Sequence, residues 1–370
     1  MKVTIPENKK IAPFLVFFLV HAMQTGVGLL GFTRIIAKDA GYDGWMSILI
    51  IAAVINVLLW MIYKMTNIAD GDIIAIHTYI LGTKLSKIIC TLFILYFCLQ
   101  AVTVLRGFIE IVHVWMFPEL SVFWFALVFF ILINYIVNGG IRTITGIAFF
   151  SVILPFYIVP LFILTLPFAD FTNLLPIFDH SVTDILMGSR DMSLTVLGFE
   201  SILFFYPFIK NPKKSRKWAI LGNGYTAFLC LYIAIITFAY FSENQLQKNT
   251  WPLLTMWKII KMPFVERFEY IGIANWCLII LPNVCLALWC ASWVTKQIFS
   301  IRQKASVPAL SILCIIATSM LLTREMINTL TDITARIGFY FNFIYIPLLF
   351  FATLIAGKVK SRDKKSAPNT

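Results

Sequence analysis

Two short stretches bring glycine, polar and acidic residues into otherwise apolar segments. They are Gln24-Thr25-Gly26-Val27-Gly28-Leu29-Leu30-Gly31 and Leu194-Thr195-Val196-Leu197-Gly198-Phe199-Glu200-Ser201. Glycine costs a helix interior roughly 1 kcal/mol relative to alanine and adopts backbone shapes closed to other residues. Each stretch is therefore expected to interrupt a helix. An interruption frees carbonyl oxygens at the end of one half-helix and amide hydrogens at the start of the next. Such a place binds and does not make bonds. Carbonyls near Gln24, Thr25 and Leu197 suit an ammonium group, and amides near Leu29 and Leu30 suit a carboxylate. Glycines can also serve only to let a neighbouring helix pack closely. Two interruptions about half a chain apart favour a central binding site. Glu200 admits two roles: it caps the positive end of the second half-helix, or it meets a ligand ammonium group or a proton at membrane depth. Asn283, beside Pro282 in a later apolar segment, adds a polar side chain at a kink. The candidate ligand-binding residues are thus Gln24, Thr25, Gly26, Val27, Gly28, Leu29, Leu197, Gly198, Phe199, Glu200, Ser201 and Asn283.

A second group is ionisable and lies nearer the outer ends of the segments. Thr103, Arg106, Glu110 and His113 are spaced three and four apart and share one helical face. Arg34 follows the first interruption, and Arg190 and Asp191 precede the second. These residues are candidates for a gate or vestibule, although charges near a span end also snorkel to the surface without further purpose. No nucleophile–base set is visible, so an enzyme is the weakest expectation. The four histidines show no metal-ligand spacing, and no metal or cofactor is expected. All seven cysteines fall in apolar segments, which argues against a disulfide framework.

The elements that must position these groups are membrane helices. Apolar residues make up 60% of the 370, charged residues 13%, and the mean hydropathy is +0.86. That composition excludes a water-soluble globule. Hydropathy marks about ten spans, near 11–37, 44–63, 87–113, 121–137, 143–166, 183–208, 218–241, 270–298, 307–323 and 334–356. The first follows Lys9-Lys10 without a cleavage site and is expected to stay. The net charge of +12 does not call for nucleic acid. With a cytoplasmic N-terminus, most basic residues, including Lys2, Lys9, Lys10, Lys213, Lys214, Arg216 and Lys217, fall in inner loops. The outer loops instead carry acids such as Asp39, Asp179 and Glu243. This is the positive-inside pattern, and an even number of spans puts both termini in the cytoplasm. The fold class is therefore an all-α polytopic membrane protein. Its helices form a five-plus-five inverted repeat with helices 1 and 6 broken. Residues 1–166 and 167–357 make the two halves, and 358–370 a basic tail. Between spans, Asp70 to Lys87 predicts an inner-face amphipathic helix ended by Gly82. Pro155 and Pro160 predict kinks, and Thr250 to Pro263 a short outer helix over the cavity.

The chain resembles the endospore germination permeases, the B subunits of nutrient germinant receptors, within the amino acid–polyamine–organocation superfamily. The resemblance lies in Gly26-Val27-Gly28-Leu29-Leu30 with Ala37-Lys38-Asp39-Ala40-Gly41-Tyr42-Asp43-Gly44-Trp45. It continues in Leu197-Gly198-Phe199-Glu200-Ser201 running to Tyr206-Pro207-Phe208-Ile209-Lys210-Asn211-Pro212-Lys213-Lys214. Trp251-Pro252 and Met262-Pro263-Phe264-Val265-Glu266-Arg267-Phe268-Glu269 complete it. Where family members often carry Leu-Pro-Arg after the first interruption, this chain has Gly31-Phe32-Thr33-Arg34, one helix-breaking element fewer. The resemblance implies a subunit in the inner membrane of a dormant spore that binds a small nutrient, often an amino acid, beside partner A and C subunits. A proton- or sodium-coupled symporter would have the same architecture. Gly28→Leu is expected to abolish the nutrient response while the protein still reaches the membrane. Germination assays beside immunoblots of membrane fractions check this, and a response of unchanged sensitivity would place the site elsewhere.

Overall fold

The structure is a computed structural model that describes residues 5–366 except Leu194, Met262 and Phe264. Lys2, Leu194, Met262, Phe264 and the end of the basic tail, all noted above, lie outside the described residues. Helices carry the architecture: α1 Val16–Gln24, α2 Phe32–Ala40, α3 Gly44–Ala69, α4 Ile73–Trp115, α5 Val122–Asn138, α6 Ile141–Ile153, α7 Ile158–Leu161 and α8 Val182–Ser193. They continue as α9 Ile202–Phe205, α10 Pro212–Tyr240, α11 Glu243–Lys248, α12 Pro252–Trp257, α13 Phe268–Phe299, α14 Gln303–Met320, α15 Arg324–Phe339 and α16 Ile346–Ser366. Among the described residues seven stretches are long and apolar enough to cross a membrane, and Pro13–Gln24, Val122–Asn138 and Phe199–Phe208 are shorter apolar helices. Together they make about ten crossings, the first formed by α1 with α2 and the sixth by α8 with α9.

The packing repeats with an offset of five crossings. α2 packs on α8, α3 on α10, α4 on α13 and α5 on α14, so each of these crossings meets its own counterpart in the other half. The remaining contacts exchange in pairs. α1 on α10 corresponds to α8 on α3, and α6 on α13 corresponds to α15 and α16 on α4. The inverted five-plus-five arrangement expected from the two interruptions is the one observed. Large apolar side chains such as Ile88, Leu92 and Leu95 of α4 and Val128 and Ile131 of α5 face outward, as lipid contact requires.

Local chemistry sets the ends of the elements. Asp72 caps α4 by accepting the Ala75 amide at 3.1 Å. Gly82 then leaves helical geometry with φ +77°, which separates a short helix (residues 73–81) from the crossing. The amphipathic helix and its terminator are thus where the sequence puts them. Pro155 and Pro160 divide the fifth crossing into α6, α7 and two tight 3-10 turns. The short outer helix expected from Thr250 to Pro263 is α12, which starts at Pro252 and ends at Trp257, and a further short helix, α11, opened by a Ser242–Gln245 capping box, precedes it. Between α15 and α16 the chain widens into a π-helical turn, Tyr340–Tyr345.

Both faces are tied across the repeats. On the face carrying the termini, Ile11 pairs with the sixth crossing: its amide donates to the Phe208 carbonyl at 2.8 Å and its carbonyl accepts from the Lys210 amide at 2.9 Å. Trp293 Nε1 donates to Asp72 at 3.1 Å, and Lys360 donates to the Tyr79 carbonyl at 2.8 Å. On the opposite face, Asp43 accepts the amides of Phe178, Asp179 and His180 at 2.8–3.1 Å, and Tyr42 donates to the Phe241 carbonyl. A Cβ on Gly82 would meet nothing within 4 Å, so its φ is the whole reason for glycine there. Gly82→Ala is expected to destabilise the protein by about 1–3 kcal/mol. Thermal unfolding in detergent, with Thr83→Ala at the next position as the control, measures the difference.

Candidate functional site

α1 stops at Gln24. Thr25 leaves helical geometry, Gly26 is extended, a 3-10 turn covers Val27–Leu30, and α2 begins at Phe32. The carbonyls released by α1 are met by side chains. Asn283 of α13 donates to the Ala22 carbonyl at 2.8 Å and the Thr25 carbonyl at 3.3 Å. Thr25 Oγ1 donates to the His21 and Ala22 carbonyls. Gln24 Nε2 reaches Asn223 Oδ1 of α10 at 2.9 Å and the Val196 carbonyl at 3.4 Å, so it already touches the second interruption. The Leu29 amide bonds the Gly26 carbonyl, while those of Val27 and Gly28 lie upstream of that first bond.

The second interruption turns at Gly198, with φ +111°. The Phe199–Ser201 turn and α9 then carry the crossing onward. Glu200 is completely buried. Its Oε2 accepts the Gly198 amide at 2.7 Å, which caps the turn from within. Its Oε1 accepts from the Tyr96 hydroxyl at 2.6 Å and from Gln100 Nε2 at 3.1 Å, both on α4. The acid therefore caps its own half-helix and anchors it to the third crossing at once.

The two interruptions touch. A Cβ on Gly198 would lie 2.8 Å from Met23 Cβ and 2.9 Å from the Met23 carbonyl oxygen, so only glycine permits the approach. Gly28 faces Thr195, and Gly26 lies nearest the Asn283 amide. Val27 packs toward Gly107 of α4 and Leu197 toward Gly338 of α15. Leu29, Phe199 and Ser201 are buried beside them. Gln24, Thr25, Gly26, Gly28, Gly198, Glu200 and Asn283 thus gather around one central junction.

The ionisable candidates lie away from it, toward the face opposite the termini. Arg34 Nε donates to the Gln247 carbonyl of α11 at 2.9 Å. Arg106, itself buried, donates to the Leu321 carbonyl at 2.9 Å and pairs with Glu110 at 3.2 Å. Arg190 is 61% exposed and pairs with its neighbour Asp191 at 2.9 Å. α12 covers the first interruption, with Leu253 and Leu254 buried, and Arg324 lies over the Trp251 ring. On the side of the termini, Phe93, Phe97, Phe204 and Phe341 pack ring against ring at 4.7–5.5 Å below Tyr96.

Sequence reasoning does not single out Tyr96, Gln100, Asn223, Thr195 or Asn342. A signal existed for the first two. The polar face of α4 read from Thr103 to His113 extends inward by the same spacing through Gln100 to Tyr96.

These features define a class: polytopic helical membrane proteins of the transporter fold, with two interrupted helices meeting at the centre. Solved structures share it. MhsT in complex with L-phenylalanine superposes with a TM-score of 0.63 at 13% identity, covering 91% of this chain and 87% of its own. Mhp1, a nucleobase-cation-symport-1 family transporter, gives 0.62 at 14%, covering 96% and 92%. Residues 10–327 match the spore germination protein family, and the chain belongs to that family. It is 41% identical to spore germination protein GerQB of Bacillus cereus over 97% of this chain and 99% of GerQB. Spore germination protein YndE of Bacillus subtilis (strain 168) is 22% identical with the same coverage.

Gly198→Ala forces the interruptions apart and strains the backbone at positive φ, an expected loss of about 1–3 kcal/mol. Its unfolding midpoint should fall, and germination should fall further than membrane protein level in matched spore preparations.

Proposed function

We propose that the protein is the membrane subunit of a spore nutrient-germinant receptor. It binds a small nutrient, an amino acid by its chemistry, between the interrupted helices and passes the change to A and C partner subunits. One observation carries this: two helices leave helical geometry at the same depth and meet at Gly28–Thr195 and Gly198–Met23. The residues concerned are Gln24 to Leu29, Leu197 to Ser201 and Asn283. Family membership supports a role in germination. The amides upstream of Leu29 and the positive end of the following turn suit a carboxylate, and the carboxylate of Glu200 suits an ammonium group.

Arg34, Arg106 and Glu110 act in this proposal as ties that hold the side opposite the termini closed, and Arg190 and Asp191 line the vestibule at its edge. Halves 1–166 and 167–357 move relative to one another when the ligand seats, and the basic tail from 358 lies against anionic lipid. Both termini are cytoplasmic, and the protein sits in the spore inner membrane or the cell membrane. A second reading, a proton- or sodium-coupled amino acid symporter, is favoured by the shared transporter fold.

Purified full-length chain in liposomes separates the two. A receptor is expected to bind radiolabelled amino acid without accumulating it under an imposed sodium or proton gradient. Gradient-driven accumulation would establish transport, and neither binding nor accumulation would remove the nutrient site.

A further inference from the structure

Glu200 has hydrogen bonds but no counter-charge. Its donors are an amide N–H, a phenol and a carboxamide, all neutral, and no lysine, arginine or histidine pairs with it among the described residues. A carboxyl group at zero exposure in a membrane interior is stable only when a proton or another cation offsets its charge. Two further oxygens of the same hydrogen-bonded cluster, one on Gln100 beside Glu200 and one on Asn342 beside Tyr96, are short of partners. Gln100 donates to Tyr96 and Glu200 through Nε2, yet its Oε1 is buried without a donor. Asn342 donates to the Gly338 carbonyl and lies against the Tyr96 hydroxyl, and its Oδ1 is likewise buried without a donor. The cluster thus offers one negative charge and spare acceptors on α4, the Phe199–Ser201 turn and the π-helical turn.

A proton would neutralise Glu200 and leave both spare oxygens unmet; what completes the whole set is a compact cation of single charge. A divalent ion would leave a net positive charge buried. The oxygens are hard ligands, suited to alkali ions or an ammonium group rather than to transition metals. We propose that Glu200, Gln100 and Asn342 form a monovalent-cation site, filled by an inorganic ion or by the ammonium group of a ligand seated between the interruptions. Only the ammonium source rests on the nutrient site proposed above. Filling the site draws the second interruption, α4 and the π-helical turn onto one charge.

The test uses the full-length chain purified in N-methyl-D-glucamine chloride, a cation too bulky to enter. Thermal unfolding is followed while lithium, sodium, potassium or ammonium chloride replaces it at constant ionic strength. L-amino acids, each beside its deaminated acid, form a second arm. A saturable rise in midpoint with a small inorganic cation assigns the site to an ion. A rise with an amino acid but not its deaminated acid, and with no inorganic cation, assigns it to a ligand ammonium group. In either case Glu200→Gln should lose the effect, and Asn342→Ala should raise the half-saturating concentration roughly tenfold. If Glu200→Gln cannot be purified, Asn342→Ala decides, because an unchanged half-saturation there overturns the site. No saturable effect in the unaltered protein also overturns it. An amino acid that stabilises the unaltered protein and Glu200→Gln equally overturns the cation site and leaves the nutrient site standing. A sodium effect without any amino acid effect does the reverse.

Discussion

A helix cannot be interrupted inside a membrane protein unless other parts of the protein take up the backbone groups it releases. That constraint organises this structure. The first interruption is met from α13, where the Asn283 amide takes the Ala22 and Thr25 carbonyls. The second is met by its own Glu200, which takes the Gly198 amide and is held in turn by α4. α4 and α13 pack on each other and are symmetry counterparts, so one counterpart crossing in each half holds one interruption. Neither could do so at a greater distance. Gly198 against Met23, and Gly222 of α10 at 2.7 Å from the Phe17 carbonyl by its would-be Cβ, show how little space separates the backbones.

The polar face of α4 extends this logic along the membrane normal. Tyr96 and Gln100 serve the junction, Thr103 bonds Thr334 of α15 at 2.7 Å, Arg106 holds the turn after α14, and His113 reaches the Leu120 carbonyl. Between them these groups reach the second interruption, α15, the turn after α14 and the turn before α5. A shift of α4 therefore reaches the junction, the tenth crossing and the face opposite the termini together. Toward the termini the pattern changes to rings, with His77 stacked on Tyr345 and Phe93 packed against both Phe204 and Phe341. Polar ties on one side and an aromatic layer on the other enclose the centre.

Much of this was legible in the sequence because it depends on local backbone chemistry. Glycines in apolar runs marked both interruptions, Gly82 marked the end of the amphipathic helix, and prolines marked the broken fifth crossing and α12. The partners of the interruptions were harder to see. Asn283 drew notice only for its proline neighbour, and nothing in its own segment points to a carbonyl 258 residues away. Asn342 was missed altogether, since a single amide in an apolar run carries no period. Arg190 and Asp191 illustrate the opposite difficulty. Charges drew attention to them, yet they pair with one another at the exterior.

The π-helical turn at Tyr340–Tyr345 bears on the tenth crossing as a whole. A π turn holds one residue more than an α turn, and one residue corresponds to about 100° of rotation around a helix axis. The azimuth of everything after Tyr345 is thus offset from that of everything before it. This lets Asn342 look inward toward Tyr96 while Tyr345, three positions on, meets His77 on a different wall. Loss or gain of a single residue in this turn would swing the lipid-facing stripe of α16, with Leu348, Phe351 and Ile355, into the protein and bring buried Leu349, Phe350 and Thr353 out to the bilayer. In this crossing, length is as strict a requirement as composition.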